Sequence, residues 1–444
     1  MERLSRIAEA LGRWTSRWVP SAFSIAVLLT LLTAVLALVW AGASPAAALK
    51  AWGGGFWELL SFSMQMALVM FTGYLLALTG PVKRLIERIA SLPKSPRGAV
   101  VLVALCSMAM AYVNWGLSLV GSAMLVRFVV RKRPEVDYRL LVACAYFGLG
   151  ATWHAGLSAS APLTVATPKH FLEAQVGVIG LDQTLFSAFN LGLTFGTVAL
   201  LCGLAWAMHP APERTVRVDP KLLELPAPPP PPPAERSFAS WVDRTWALNG
   251  LFGLAALGYW GTSLADAGWR NINLNSVNFL FFALAVTLHR SPRALLTSSE
   301  EAASTLSGVV LQFPLYAGIY GLFKSTALTE RLGDLFVSAS TKETFPALVY
   351  LYSGVVNYFV PSGGAKWAIE GPYLLKAAAT LQVPPSKVVL AYAWGDMATD
   401  LIQPFWALPL LGIAKLEFKD ILGFLLLAFF VYFPLVTLAF LLAG

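Results

Sequence analysis

The sequence predicts an all-α polytopic membrane protein, an inverted repeat with two re-entrant helical hairpins and two broken helices. Three observations predict it. Of 444 residues, 57% are hydrophobic and 13% charged, with mean hydropathy +0.66, whereas soluble domains carry roughly 25% charged residues. Apolar runs follow one another, most long enough to cross a hydrocarbon core about 30 Å thick. Two of these runs are broken by short polar or glycine-rich stretches, Asn114-Trp115-Gly116 and Pro361-Ser362-Gly363-Gly364. Unwound backbone at membrane depth is tolerated only where protein or a filled cavity satisfies its N–H and C=O groups. Two facing breaks would therefore make a binding site.

The net charge is +8, but Lys and Arg gather in a few loops instead of forming a basic face with interleaved aromatics. They act as topology signals, and nucleic-acid binding is not expected. Cys106, Cys144 and Cys202 lie inside apolar runs at spacings that match no zinc or redox motif, as small buried hydrophobes do. Residues 1–19 read as a cationic amphipathic helix on the membrane surface, with Leu4, Ile7, Ala8, Leu11, Trp14 and Trp18 at helical spacing and no cleavable signal peptide.

The first transmembrane repeat is expected over 20–208. Spans at 20–41 and 56–79 are flanked by Arg3, Arg6, Arg13 and Arg17 before and Lys83, Arg84, Arg88, Lys94 and Arg97 after, which places both groups and the N-terminus in the cytoplasm. The run at about 98–130 is followed by Arg131, Lys132, Arg133 and Arg139, so it enters and leaves on the same side, turning at Asn114-Trp115-Gly116. The span at about 138–165 contains Gly148, Gly150, His154, Gly156 and Pro162, residues that weaken a helix interior and predict a break. A polar segment at 167–182 lies outside, and 184–208 crosses back.

Residues 209–244 contain PAPPPPPPA at 226–234, which favours extended polyproline II and predicts a cytoplasmic linker. An extra span is expected at 245–264. The second repeat, 265–444, holds a span at 276–288 and another at about 304–323 containing Gln312-Phe313-Pro314. A polar outer segment at 326–343 precedes a hairpin at about 345–381, a broken span at 387–413 and a final span at 421–442. The count is nine full crossings and two hairpins.

An internal correspondence supports the repeat. Gly116 and Gly148 stand 32 residues apart, as do Gly363 and Gly395. Ala145-Tyr146-Phe147-Gly148 matches Tyr392-Ala393-Trp394-Gly395 in character. Opposite sidedness of the two hairpins follows independently from the flanking charges. Inverted repeats with discontinuous helices are a recurring plan of secondary transporters.

A half-helix that starts after each tip offers free N–H groups and the positive end of its dipole, which suits an anion. Asn114, Trp115, Gly116 and Ser118 at one tip, and Asn357, Ser362, Gly363 and Gly364 at the other, are the candidate substrate-binding residues; the alternative is that they only satisfy the turns. Lys366 either meets a substrate carboxylate or pairs with Glu370 one helical turn away. Asp396 and Asp400, also one turn apart in a broken helix, are candidates for ion coupling, against a structural pairing with Lys366. His154 is the histidine at an apparent midplane position, structural or proton-carrying. Trp115, Phe147, Trp153, Trp394, Phe405 and Trp406 could sheathe a short apolar tail or simply pack. No HExxH, GxSxG or P-loop motif is present, so an enzyme is not expected, nor is a cofactor.

The stretches 52–73 (WGGGFWELLSFSMQMALVMFTG), 311–319 (LQFPLYAGI), 361–364 (PSGG) and 403–409 (QPFWALP) resemble the short-chain fatty acid transporter family, within a wider ion-transporter group. The resemblance spans almost the whole chain. It implies import or exchange of small monocarboxylates such as butyrate or acetoacetate across a bacterial inner membrane. It also implies an elevator-type architecture, with hairpins and broken helices sliding against a scaffold that forms a homodimer. Lys366, Asp396 and Asp400 fall outside the resembling stretches, and proton and sodium both stay open as the coupling ion. A dicarboxylate or other small organic anion as substrate, or an anion channel, are the alternatives.

Overall fold

The structure, a computed structural model, describes residues 20, 22–219 and 237–442. The expected surface helix at 1–19 and the polyproline run at 226–234 lie outside the described residues. What is described is helical, with no strand.

The first half runs α1 (Ala22–Val39), α2 (Pro45–Gly55), α3 (Leu60–Leu78), α4 (Gly80–Ile89), α5 (Pro96–Val113), α6 (Trp115–Lys132), α7 (Tyr138–Ala151), α8 (Ser160–Val165) and α9 (Ala188–Met208). After α10 (Ala247–Ala267), the second half runs α11 (Leu274–Leu288), α12 (Pro292–Ser304), α13 (Ser307–Ser325), α14 (Leu328–Ala339), α15 (Phe345–Phe359), α16 (Gly363–Leu381), α17 (Pro385–Ala398), α18 (Leu408–Ala414) and α19 (Phe418–Leu442). The packing partners recur in order. Helix α5 packs on α6, α7 and α9 while α15 packs on α16, α17 and α19; α3 and α4 back α6 while α13 and α14 back α16. The halves also interlock, α1 and α2 against α13, and α11 and α12 against α3.

Among the described residues five helical segments are long and apolar enough to cross a membrane: α3, α5, the interrupted α7–α8 stretch, α9 and α19. Two bent pairs, α12–α13 at 50° and α17–α18 at 66°, raise the number to seven. This differs from the nine expected crossings. Helices α1 and α11 are apolar but short, and α10 has 21 residues without being among the most apolar. The bend before α13 falls at Thr305–Leu306 and not at Pro314, which sits inside α13. Further differences are α2, a short helix where the sequence predicts only a connection, and α14, a helix within the segment expected to be polar loop.

Both expected hairpins turn back on themselves. Ser118 Oγ donates to the Ser107 carbonyl (2.9 Å) across α5 and α6, and Lys366 Nζ donates to the Ser353 carbonyl (2.7 Å) across α15 and α16. The arms of the first hairpin have 18 residues each, about 27 Å of helix, longer than a shallow re-entry needs. The expected breaks are present too. Helix α7 gives way to a 3-10 turn at Trp153–Ala155 before α8, and α17 to 3-10 turns at Thr399–Leu401 and Phe405–Ala407 before α18.

The glycines spaced 32 residues from the tips acquire a physical role. A Cβ on Gly148 would lie 2.2 Å from the Ser107 carbonyl oxygen, and one on Gly395 would lie 2.2 Å from that of Tyr350. Each broken helix therefore rides directly on the backbone of its hairpin's first arm. Gly148→Val is expected to force α7 off α5 and cost at least about 1–3 kcal/mol of stability. A thermal unfolding midpoint equal to wild type would show that the contact gives freely.

Candidate functional site

Six pieces of chain converge between the hairpins: the start of α6, the start of α16, both helix breaks, α3 and α13. They enclose a cavity of about 60 Å³, lined by Trp115, Leu149, Trp153, Ser158, Ser160, Ser362, Gly363, Gly364, Asp400 and Trp406, with Met66, Val309 and Phe313 closing one wall. A larger vestibule of about 560 Å³ shares Val309, Phe313, Ser362 and Trp406 with it and extends past Tyr74, Leu119, Val120, Thr305, Gly308 and Pro409. Trp115 and Trp406 meet edge to face at 5.3 Å. The Trp406 indole N–H donates to the Pro361 carbonyl (2.9 Å), which ties the second break to the second tip.

The two tips differ in a way their sequences do not announce. At the first, Asn114 Oδ1 accepts from the Leu117 N–H (2.9 Å) while its Nδ2 donates to the Val69 carbonyl (3.1 Å). The start of α6 is thus capped by its own chain, and the Trp115 N–H donates to Ser158 Oγ (3.0 Å). At the second, Ser362 makes no side-chain cap. Among the described residues no acceptor is found for the Gly363 and Gly364 N–H groups, and both glycines line the cavity. An α-helix leaves its first N–H groups unpaired unless something caps them. Here that end faces open space.

Asp400 is the charged residue on the cavity wall. Its Oδ1 accepts from Asn357 Nδ2 (2.8 Å) and Gln403 Nε2 (3.1 Å), and its Oδ2 from Trp153 Nε1 (3.1 Å). Asn357 is therefore a holder of Asp400 and not a cavity residue. Behind the wall lies a buried polar cluster. His154 Nε2 receives the Ala161 N–H (3.3 Å) and lies 2.8 Å from Ser160 Oγ. Because a backbone N–H can only donate, Nε2 is unprotonated, and Nδ1–H donates to Asp396 Oδ2 (2.8 Å). The imidazole is neutral and stacks on Trp153 at 4.2 Å between ring centroids. Lys366 Nζ donates to the Ser353 carbonyl and hydroxyl, both at 2.7 Å, and lies 3.1 Å from Asp396 Oδ1 and 3.7 Å from Glu370 Oε1.

Of the residues singled out from sequence, Trp115, Trp153, Ser362, Gly363, Gly364, Asp400 and Trp406 line the cavity, while Phe147 and Trp394 do not. Asn114, Gly116, Ser118, His154, Asn357, Lys366 and Asp396 do not; they brace the tips and breaks. Gly116 lets α6 approach the Met70 carbonyl, 2.7 Å from where a Cβ would stand. The expected Lys366–Glu370 pair is present at the longer distance, and the closer carboxylate is Asp396. Sequence reasoning missed Leu149, Ser158, Ser160, Met66, Val309 and Phe313 as site residues. Met66, Leu149, Val309 and Phe313 sit in continuous helix, so only their convergence in space marks them, whereas Ser158 and Ser160 lie at the α7–α8 break that the sequence predicts. No cluster of three or more His, Cys, Asp or Glu side chains suited to a metal occurs among the described residues.

The comparisons with known proteins bear on the whole chain. The family profile described as "Short chain fatty acid transporter" matches residues 3–443. A protein of Escherichia coli (strain K12) named for short-chain fatty acid transport is 38% identical over 431 residues, 96% of each chain. One of Haemophilus influenzae with the same kind of name is 35% identical over 434 residues, again 96% of each. In fold the chain is similar to the YdaH transporter of Alcanivorax borkumensis, with TM-score 0.62 at 16% identity over 96% of this chain and 98% of that one. The resemblance carried by the four quoted stretches thus extends over the full length, and the chain belongs to the short-chain fatty acid transporter family, a family of membrane transporters and not of enzymes.

Proposed function

We propose that this transporter carries short-chain monocarboxylates such as butyrate or acetoacetate across a bacterial inner membrane by ion-coupled alternating access. The observation that carries it is the uncapped start of α16 facing the same cavity as Asp400. The Gly363 and Gly364 N–H groups and the Ser362 hydroxyl bind the carboxylate, favoured by the helix dipole. Trp115, Trp153, Trp406 and Phe313 take the short tail. Among the described residues no Lys, Arg or His lines the cavity, and Lys366 is engaged by Ser353 and Asp396. One anionic group can be met there, which favours a monocarboxylate over a dicarboxylate.

Coupling follows from Coulomb's law. A substrate carboxylate and an ionised Asp400 in one dry cavity repel, so the anion binds best when a proton or sodium ion neutralises Asp400. The conserved order of packing partners on either side of α10 supports an inverted repeat. Met66, Val309 and Phe313, the wall contributed by α3 and α13, are all apolar, a surface along which hairpins and broken helices slide in an elevator motion. The vestibule residues Tyr74, Leu119 and Val120 precede the Lys83–Arg84 and Arg131–Lys132 clusters, and Thr305 follows Arg290 and Arg293. By the positive-inside rule the N-terminus is cytoplasmic and this conformation faces inward.

The test is uptake of labelled butyrate and acetoacetate into proteoliposomes under separately imposed proton and sodium gradients. Saturable uptake with counterflow, accelerated by one gradient, is expected; no uptake of either acid by folded protein would overturn the substrate assignment, and non-saturable flux would indicate a channel. Ser362→Ala removes one charge-assisted hydrogen bond, worth about 1.5–3 kcal/mol. It is expected to raise KM about tenfold or more; an unchanged KM would place the carboxylate elsewhere.

A further inference from the structure

Glu370 stands in the middle of α16, its side chain 1% exposed, and lines neither the cavity nor the vestibule. Among the described residues neither of its carboxyl oxygens has a hydrogen-bond partner, whereas Asp396 lacks one only at Oδ1 and accepts from His154 at Oδ2. The nearest cation, Lys366, gives its protons to Ser353 at 2.7 Å and stands nearer Asp396, at 3.1 Å, than Glu370, at 3.7 Å. A bare buried carboxylate with no donor is expensive, and such groups neutralise instead. The titratable groups that reach it are Lys366 and Tyr373 on its own helix, Tyr352 on α15, and Tyr392 and Asp396 on α17; α8 carries no titratable residue, and Lys324 of α13 and Glu330, Arg331 and Asp334 of α14 are not among the groups that act on it.

We propose that Glu370 is a proton-binding site, occupied in this conformation, and that Lys366 is its switch. With the ammonium on Asp396, Glu370 keeps its proton. When the ammonium shifts toward Glu370, the acid releases that proton by way of Asp396 and His154 to the cavity at Ser160 and becomes the carboxylate partner. The site is joined to the cavity by a chain of neighbouring polar groups: Glu370, Lys366 at 3.7 Å, Asp396 at 3.1 Å, His154 at 2.8 Å and Ser160 at 2.8 Å, the last lining the cavity. Contents of the cavity can therefore bias the position of Lys366 through contacts alone. The inference rests on the ion-coupled transport proposed above and adds a proton at a place apart from Asp400.

Two measurements test it. Infrared spectroscopy of the full-length protein in lipid at neutral pH should show the carbonyl band of a protonated, weakly hydrogen-bonded carboxylic acid, and Glu370→Gln should remove it. Absence of any such band in wild type, or its persistence in the variant, would overturn the site. Proton flux measured alongside labelled-acid uptake should fall by one proton per acid in Glu370→Gln; an unchanged ratio would overturn the switch. Absence of substrate counterflow in wild type would instead refute the transport reading, and the infrared band would still decide the state of Glu370. If Glu370→Gln does not fold, the wild-type band and its loss on raising pH suffice.

Discussion

Replacing Gly363 with alanine should reduce saturable uptake at least about 100-fold, the scale of a misplacement of about 1 Å at a site that works by positioning. A Cβ there would lie 2.5 Å from Asp396 Oδ2, 2.8 Å from His154 Cε1 and 2.8 Å from Trp153 Cη2. None of the three can retreat. Asp396 is pinned between His154 and Lys366, and the imidazole is held on both nitrogens and stacked on Trp153. The start of α16 must move instead, carrying its free N–H groups out of line with the cavity. Gly364→Ala is the informative contrast, because its Cβ would meet the flexible Met66 side chain (Sδ at 2.9 Å, Cγ at 3.1 Å) and, less tightly, Phe62 Cζ at 3.2 Å, which need to give by only a few tenths of an ångström. Its effect should be several-fold smaller. Thermal unfolding of both variants separates lost function from lost fold, and equal uptake in the two would remove the second tip from the mechanism.

Asp400→Asn should abolish the dependence of substrate affinity on the coupling cation. Two unit charges about 8 Å apart at an effective dielectric of about 20 repel by about 2 kcal/mol, a coupling of about 30-fold in affinity. Asparagine removes that charge while keeping partners for Asn357 and Gln403, whose amides can donate or accept. Substrate binding measured across pH and sodium concentration should show wild type steepening with one cation and the variant flat. A variant that keeps the full cation response would move coupling away from Asp400. The outcome differs from that for Glu370→Gln, which changes protons moved per acid and not the affinity response at the cavity.

Much of this was legible in the chain. Composition and apolar run length require a membrane protein, because no aqueous fold buries so much oil. The breaks at Asn114-Trp115-Gly116 and Pro361-Ser362-Gly363-Gly364 mark the hairpin turns, and Gly148 and Gly395 mark the contacts of the broken helices. These are local properties: periodicity, chain-breaking residues and close-approach glycines act within a turn or two. The resemblance in four stretches extended to full-length family membership for the same reason, since those stretches sit at the tip, the breaks and the wall.

The tertiary structure decided what depends on which groups share space. The tips look equivalent in sequence, yet Asn114 caps its own helix while Ser362 leaves α16 open, a difference set by where Val69 and Ser158 lie across the fold. Lys366 looks like a substrate ligand, but Ser353 and Asp396 occupy it and it does not line the cavity. Asp396 and Asp400, one turn apart, separate into a buried brace and a cavity wall because the helix breaks between them. Charge balance inside a membrane protein is a property of three-dimensional neighbours, and the sequence alone determined only which residues were available to balance it.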